Sequence, residues 1–289
     1  MENYRTMVKK DIALWGLTVL LTFTLKACGK DKMEFPEGSI IMTTTAKELR
    51  IVLSGSDDIQ IHWGDGKKSN LNEGTLLNFD EGLEFSHAYP SSAKRTIYIT
   101  GKVETLRCDN MQLTALDVSQ NPELIALNCS NNLLTELDVS RNTALNTLIC
   151  NNNQLTKLDV RFNIALEELS LINNQISTID VSQLSVLRTF RCSNNPITNI
   201  DLSANTGLTV LILYRCQLSN LDLSKNIKLN SLCLKANQFT TSALNDLFNS
   251  LFSVPQGQYA FIDYTENPGS NDADHSIWQE KNWLFHPCR

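Results

Sequence analysis

Hydrophobic and polar positions recur along the middle of the chain with a period of 21 residues. Each copy carries apolar residues in a short alternating run, LxxLxC, and then a polar turn that begins with LDVS. The aspartates that mark the period are Asp117, Asp138, Asp159, Asp180, Asp201 and Asp222. Alternation with a period of two predicts one short β-strand in every copy. Seven copies, between residues 103 and 239, fit the consensus LxxLxCxxNxLxxLDVSxNxx.

A fixed period of this length predicts a solenoid, because one short strand with a turn cannot bury its apolar side alone. Stacked copies form a parallel sheet that covers a continuous core. An asparagine at one position of the period is expected to bind backbone groups that the tight coil leaves unpaired. These asparagines are Asn132, Asn153, Asn174, Asn195 and Asn237, and Met111 and Cys216 occupy the same position in two other copies. Cys216 should therefore loosen the ladder locally.

The consensus resembles the leucine-rich-repeat family over about 137 residues. In detail it is similar to the short repeats of internalins and of surface lipoproteins from gut Bacteroidetes, including a form with cysteine in place of a strand leucine. The resemblance implies a repeat solenoid with short parallel β-strands on a concave side and a mostly irregular convex side. It also implies that a ligand binds the concave face.

Two ladders of side chains leave alternatives open. Cys108, Cys129, Cys150 and Cys192 are predicted to point into the core, where they are either small apolar thiols or, less favourably, disulfides between adjacent strands. A metal site in this row of cysteines is disfavoured, since a straight row of ligands is not tetrahedral.

The repeated aspartates also leave two alternatives open. Each aspartate either accepts hydrogen bonds from its own turn or belongs to a calcium-binding edge. Because each copy offers one carboxylate, hydrogen bonding within the turn is favoured.

The first residues predict export. An apolar run from Ile12 to Leu25 is too short to span a bilayer and is typical of a signal peptide over residues 1–27. Leu25-Lys26-Ala27-Cys28 resembles a bacterial lipobox, which implies a lipid on Cys28 and a polar tether over residues 28–37. An ordinary signal peptide is the alternative. The resemblance implies an outer-membrane lipoprotein exposed at the cell surface, and the sequence leaves the periplasmic face open.

Residues 38–102 lack the repeat register and predict a small all-β sandwich. Strand-like runs occur at 39–44, 48–54, 59–63 and 95–100. The segments WGDG at Trp63 and HxY at Tyr89 resemble PKD-type domains, which implies a core tryptophan, a glycine turn and a tyrosine that closes the sandwich. His62 and His87 are interpreted as structural.

Residues 240–289 predict a C-terminal helical cap. Apolar residues with helical spacing predict a helix over 242–251 that covers the open end of the solenoid. Trp278 and Trp283 are expected in the core of the cap. Asp272 and Asp274 fit a solvated turn better than a cation site.

One cluster stands out among the strand residues predicted to face outward. Most are small and polar, but apolar, aromatic and basic residues meet in neighbouring copies, as they do at the centres of interfaces. The candidate binding residues are Ile149, Ile172, Arg191, Ile212, Tyr214 and Arg215. The alternative is an ordinary sheet face with high β-propensity.

The net charge of −6 argues against nucleic acid as a partner. The sequence shows none of the common catalytic motifs, so we predict no enzymatic activity, no cofactor and no metal. The favoured function is binding or adhesion by a monomer that recognises a protein or glycan, a host molecule among the candidates. The alternative is a passive envelope lipoprotein, and a glycan hydrolase is disfavoured.

Overall fold

The computed structural model describes residues 35–76 and 82–288. The predicted signal segment 1–27 and the predicted lipid site Cys28 lie outside the described residues. Within the described residues, every helix is too short or too polar to cross a bilayer.

Two layers of strands precede the repeats. Seven strands occur there: β1 (Ile40–Thr44), β2 (Glu48–Gly55), β3 (Gln60–His62), β4 (Lys68–Asn70), β5 (Thr75–Leu76), β6 (Leu83–Ala88) and β7 (Arg95–Thr100). Trp63 is buried between the layers, and Tyr89 donates its hydroxyl hydrogen to the carbonyl of Trp63 at 2.5 Å. The His87 ring stacks on Trp63 and bonds Asp65 at 2.9 Å, which is a structural role.

Both layers continue into the repeats through hydrogen-bonded strands. The repeat strands are β8 (Val103–Arg107), β9 (Leu113–Asp117), β10 (Ala126–Asn128), β11 (Thr147–Ile149), β12 (Glu168–Ser170), β13 (Thr189–Arg191), β14 (Val210–Ile212) and β15 (Ser231–Cys233). β2 pairs antiparallel with β8, and β1 pairs antiparallel with β9. The boundary at residue 102 therefore separates the non-repeating sequence from the repeats, but both sheets contain strands from each side of it.

The repeat solenoid is confirmed. β10 pairs in parallel with β8, and each strand from β11 to β15 pairs in parallel with its predecessor. Residues 21 positions apart lie side by side, as Leu148 does with Leu169. The central residue of each strand from β10 to β15 is buried, and the residues on either side are half-buried, except that Ser170 and Cys233 are buried as well. The sequence period is thus the length of one coil of the solenoid.

The predicted asparagine ladder ties consecutive coils together. The Oδ1 atom of Asn153 accepts the N–H of Leu134 at 3.1 Å, and its Nδ2 donates to the carbonyl oxygens of Cys129 and Cys150 at 3.0 and 3.2 Å. Asn132, Asn174, Asn195 and Asn237 repeat this arrangement. One side chain thereby satisfies backbone groups of two coils that are sealed from water.

Cys216 interrupts this ladder, as predicted. Its thiol donates a weak hydrogen bond to the carbonyl oxygen of Cys192, which lies 3.5 Å from Sγ. The N–H of Ile197, which an asparagine would accept, instead donates to the carbonyl of Asn195 within its own turn, at 2.8 Å.

A second, unpredicted ladder lies on the other side of the coil, at the asparagine of the LDVSxN segment. Nδ2 of Asn142 donates to the carbonyl oxygens of Val118 and Asn121 at 2.9 and 2.7 Å. Asn163, Asn205 and Asn226 do the same in later coils. Leu184 takes the equivalent position in the intervening coil and cannot donate.

The repeated aspartates accept hydrogen bonds from their own turns, which confirms that alternative. Oδ1 of each accepts the N–H two residues later, at 2.8–3.1 Å, in Asp117, Asp138, Asp159, Asp180, Asp201 and Asp222. The N–H of Ser203 is the main reason that the pKa of the Asp201 carboxyl is lowered. The carboxylates are therefore part of the turn geometry.

The coil continues beyond the repeat register. The helix is confirmed as α1 (Thr241–Ser250), and β16 (Ala260–Asp263), α2 (Ser276–Gln279) and β17 (Trp283–Phe285) follow it. β16 and β17 extend the parallel sheet past β15. Asn267 continues the asparagine ladder, because its Oδ1 accepts the N–H of Asn237 at 3.1 Å. Trp278 and Trp283 are buried, as predicted.

Candidate binding face

The side chains that alternate with the buried strand residues form one outer surface, here called the sheet face. In register across it lie Thr105, Ala126, Thr147, Glu168, Thr189, Val210 and Ser231 in one row, and Arg107, Asn128, Ile149, Ser170, Arg191, Ile212 and Cys233 in the next. Exact register arises because each coil has the same length, so the sheet face presents straight rows of side chains.

The predicted binding residues fall on this face in two groups. Arg191 on β13 lies directly beside Ile212 on β14, and Tyr214 and Arg215 follow Ile212 along the chain. Ile149 is separated from Arg191 by the small Ser170. Ile172 follows β12 in the same strand position as Tyr214, two coils earlier. All are half-buried except Arg215, which is exposed.

Arg191 is held in place by a carboxylate on the neighbouring strand. Its Nη1 lies 2.5 Å from Oε1 of Glu168, and both side chains are about one third exposed, at 35% and 36%. A pair at this exposure is partly screened by water and contributes little to stability. Its effect is to fix the guanidinium, which keeps further donors free for a ligand.

Tyr214 lies between two cations. The Arg215 guanidinium carbon is 5.1 Å from the centre of the Tyr214 ring, and Nζ of Lys235 is 6.0 Å from it. Lys235 also bonds Glu266 at 2.9 Å, which is the main reason that the pKa of its ammonium is raised. Attraction between a cation and the ring face orients the aromatic side chain for contact.

A residue with a left-handed backbone conformation follows the strands of the sheet face, and this conformation explains one regular row of asparagines. Asn110, Asn131, Asn152, Asn173 and Asn194 have φ between +54° and +59°. Asparagine tolerates this conformation better than most residues. The row is also bonded side chain to side chain, with Asn152 donating to Asn131 at 2.8 Å. Arg215 takes the same conformation, with φ of +50°, so the turn directs its side chain at the edge of the sheet face.

The sheet face extends further than the repeat pattern indicated. Phe261 on β16 and Leu284 on β17 continue the row of Val210 and Ser231, and they are 38% and 43% exposed. Sequence reasoning missed both because they lie outside the 21-residue register. The sequence does contain a signal of this further coil, because Ile262-x-Tyr264-x-x-Asn267 repeats the Leu-x-Cys-x-x-Asn spacing of the earlier strands.

The C-terminal tail borders the face beside Ile212. A disulfide joins Cys233, the neighbour of Ile212 in the row, to Cys288, with the two Cα atoms 6.0 Å apart. The N–H of Cys288 donates to Oδ2 of Asp263 at 2.8 Å. This bond was not predicted, although Cys233 and Cys288 are the two cysteines that neither the coil interior nor the lipobox explains.

The interior cysteines are free thiols, as predicted. Cys108, Cys129, Cys150, Cys192 and Cys216 are buried and unbonded to one another. Burial raises the pKa of the Cys192 thiol well above its usual range and that of Cys216 to about 12. They therefore serve as small apolar core residues.

Comparison with known proteins identifies solenoids of the same kind. The functional domain of InlJ from Listeria monocytogenes, described as including a cysteine ladder, is 32% identical with a TM-score of 0.47, over 61% of this chain and 42% of that one. A leucine-rich-repeat protein of Leptospira interrogans is 27% identical with a TM-score of 0.54, over 64% and 48%. Internalin C2 of Listeria monocytogenes is 23% identical with a TM-score of 0.51, over 64% and 80%.

The chain spans less than half the length of the first two of these proteins. No protein-family model and no curated protein matches the sequence. The likeness to the Leptospira and internalin C2 structures nevertheless agrees with the parallel strands and the 21-residue coil seen here. The chain therefore has the fold of the leucine-rich-repeat proteins.

Proposed function

We propose that the chain is an exported, lipid-anchored binding or adhesion protein that recognises a protein or glycan through its sheet face. The observation that carries the proposal is the group formed by Arg191, Ile212, Tyr214 and Arg215 on adjacent strands. Aromatic and arginine side chains dominate the binding energy of interfaces, and here a rigid sheet holds them in place.

Neighbours with the same fold support this reading. They include internalin C2 and a leucine-rich-repeat protein of Leptospira interrogans. The candidate group lies on straight rows of side chains that adjacent parallel strands hold in register. A regular sheet face of this kind suits contact with the surface of a partner.

The distribution of cysteines supports export. Disulfides persist in oxidising compartments, and the Cys233–Cys288 bond joins β15 to the C-terminal tail. The five free thiols are sealed in the core, where they cannot exchange with that bond. Only Cys28 then remains, in the segment that resembles a lipobox.

The binding proposal is tested with a double substitution on the sheet face. Arg191→Ala with Tyr214→Ala should weaken binding to a partner found on arrays of extracellular proteins and glycans by at least about tenfold, because each truncation removes an interface anchor. Dissociation constants for the parent and the variant provide the measurement.

A matched control is available outside the sheet. Arg161→Ala with Phe162→Ala likewise removes an arginine and an aromatic residue, and Phe162 is 54% exposed in a turn. This control should bind like the parent. Equal binding by the sheet-face variant would overturn the proposal, and the absence of any partner would favour a passive envelope protein.

The anchoring proposal is tested in bacterial cells that make the full chain. Cys28→Ala should move the protein from the membrane fraction to the soluble fraction, because no lipid can then be attached. Cys288→Ala, which removes a cysteine at the far end of the chain, should leave the protein in the membrane fraction. Protease added to intact cells should digest the anchored protein; full protection would contradict surface exposure.

A further inference from the structure

A second cavity lies in the C-terminal region, apart from the candidate group. It has a volume of about 430 Å³, within the range of small-ligand pockets, and we call it the cap cavity. One wall is the loop 255–259, and the other is formed by residues 278–285 at the end of α2 and along β17.

The side chains that line the cap cavity are aromatic rings and amides. Tyr259 is 66% exposed and Phe285 46% exposed, and Gln256, Gln258 and Gln279 are exposed beside them. Among the described residues, no acidic or basic side chain lines it. By contrast, the other cavity, between β2, β6 and β8, is lined by Glu48, Arg50, His87, Arg107 and Asp109.

The walls of the cap cavity are fixed to each other by hydrogen bonds at its base. The N–H of Val254 donates to the carbonyl of Lys281 at 2.8 Å, and Nδ2 of Asn282 donates back to the carbonyl of Val254 at 3.0 Å. Nε1 of Trp283 donates to the carbonyl of Phe252 at 3.0 Å. The cavity is therefore built by the fold and does not depend on a free loop.

Lys281, the cation in the wall segment 278–285, bonds groups outside the cap cavity. Nζ of Lys281 donates to the carbonyl oxygens of Phe248, Asn249 and Leu251, at the end of α1, at 2.6–3.0 Å. These bonds satisfy carbonyl groups that the end of the helix leaves unpaired. The ammonium is thus occupied, and the cavity wall has no positive charge to offer an anion.

We propose that the cap cavity binds a neutral saccharide. A pyranose ring presents an apolar face of C–H groups, which suits the exposed ring of Tyr259, and hydroxyls around its edge. A glutamine amide both donates and accepts, so it matches neighbouring hydroxyls that do the same. Binding an uncharged sugar requires no counter-charge and costs no desolvation of an ion.

The test uses maltohexaose, cellohexaose, xylohexaose and mannohexaose, with trigalacturonic acid as the charged comparison. Trp278 and Trp283 line the cavity, so tryptophan fluorescence reports occupancy, and calorimetry gives the dissociation constant. At least one neutral hexasaccharide should bind, with an affinity independent of salt concentration because neither side is charged. Trigalacturonic acid should not bind.

Two substitutions locate the site. Tyr259→Ala should weaken saccharide binding about tenfold, from the loss of one aromatic contact. Phe162→Ala, a change at an exposed aromatic residue outside both proposed sites, should bind the sugar like the parent. Both residues are at the surface, so each variant should keep the fold, which circular dichroism checks. Binding of none of the four hexasaccharides, or unchanged binding by Tyr259→Ala, would overturn the proposal and leave the sheet-face proposal untouched.

Discussion

Replacing Asn153 by alanine should lower the free energy of unfolding by about 3 to 4 kcal/mol, one of the largest effects of any single polar substitution in this chain. The side chain is only 8% exposed, and it bonds the N–H of Leu134 and the carbonyls of Cys129 and Cys150. Alanine would leave all three backbone groups buried without partners. Urea denaturation followed by circular dichroism gives the difference.

The adjacent asparagine provides the control. Asn152 is exposed, has φ of +54° and bonds a side chain of the previous coil. Asn152→Ala should cost about 1 to 2 kcal/mol, mainly because alanine lacks the short polar side chain that makes the left-handed region tolerable for asparagine. If Asn153→Ala cost no more than Asn152→Ala, the interior ladder would not be what holds the coils together.

Alkaline pH should destabilise the protein steeply through its interior thiols. Burial is the main reason that the pKa values of Cys108, Cys192 and Cys216 are raised, and a hydrogen bond that the protonated Cys150 thiol donates to Cys129 is the main reason at Cys150. Free thiols in the unfolded chain ionise near pH 8.5. Stability is thus fully present below that pH and is lost as the pH rises toward the folded values, by about 1.4 kcal/mol per pH unit for each thiol.

The slope of the unfolding free energy against pH separates the contribution of one thiol from that of the other titrating groups when that thiol is removed. Unfolding free energies between about pH 8 and about pH 10.5 should fall less steeply in Cys192→Ala than in the parent, by one thiol's contribution. Both proteins should carry Cys233→Ala and Cys288→Ala, so that unfolded thiolates have no disulfide to attack. Identical slopes would show that Cys192 is not kept protonated by the fold.

The repeat coils were predictable from the sequence because every constraint within a coil is local and recurs. The period of Asp117 and its equivalents fixes the length of a coil, and equal coils can stack only in register. The roles of the interior asparagines, the thiols and the aspartate turns then follow from single-coil chemistry. The candidate group on the sheet face also follows from register, so its placement could be predicted although its binding role stays a prediction.

The contacts that the sequence did not indicate join segments far apart in the chain. β2 pairs with β8 and β1 with β9, and neither pairing leaves a periodic signal. The Cys233–Cys288 bond spans 55 residues for the same reason. Phe261 and Leu284 were missed because a helix inserted after Phe239 lengthens the coil from 21 residues to 30, measured between Asn237 and Asn267. The cap cavity depends on these same long-range contacts.

The two breaks in the asparagine ladders have a mechanical consequence. Leu184, between β12 and β13, and Cys216, just after β14, replace ladder asparagines, so ladder bonds between turns are missing before and after β13. Hydrogen-bonded strands secure one end of the array and a disulfide secures the other. In a linear stack each joint bends according to its own bonds alone. Arg191 on β13 and Tyr214 just after β14 lie in this stretch, so a bound partner that contacts both would restrain the joints where the ladder bonds are missing.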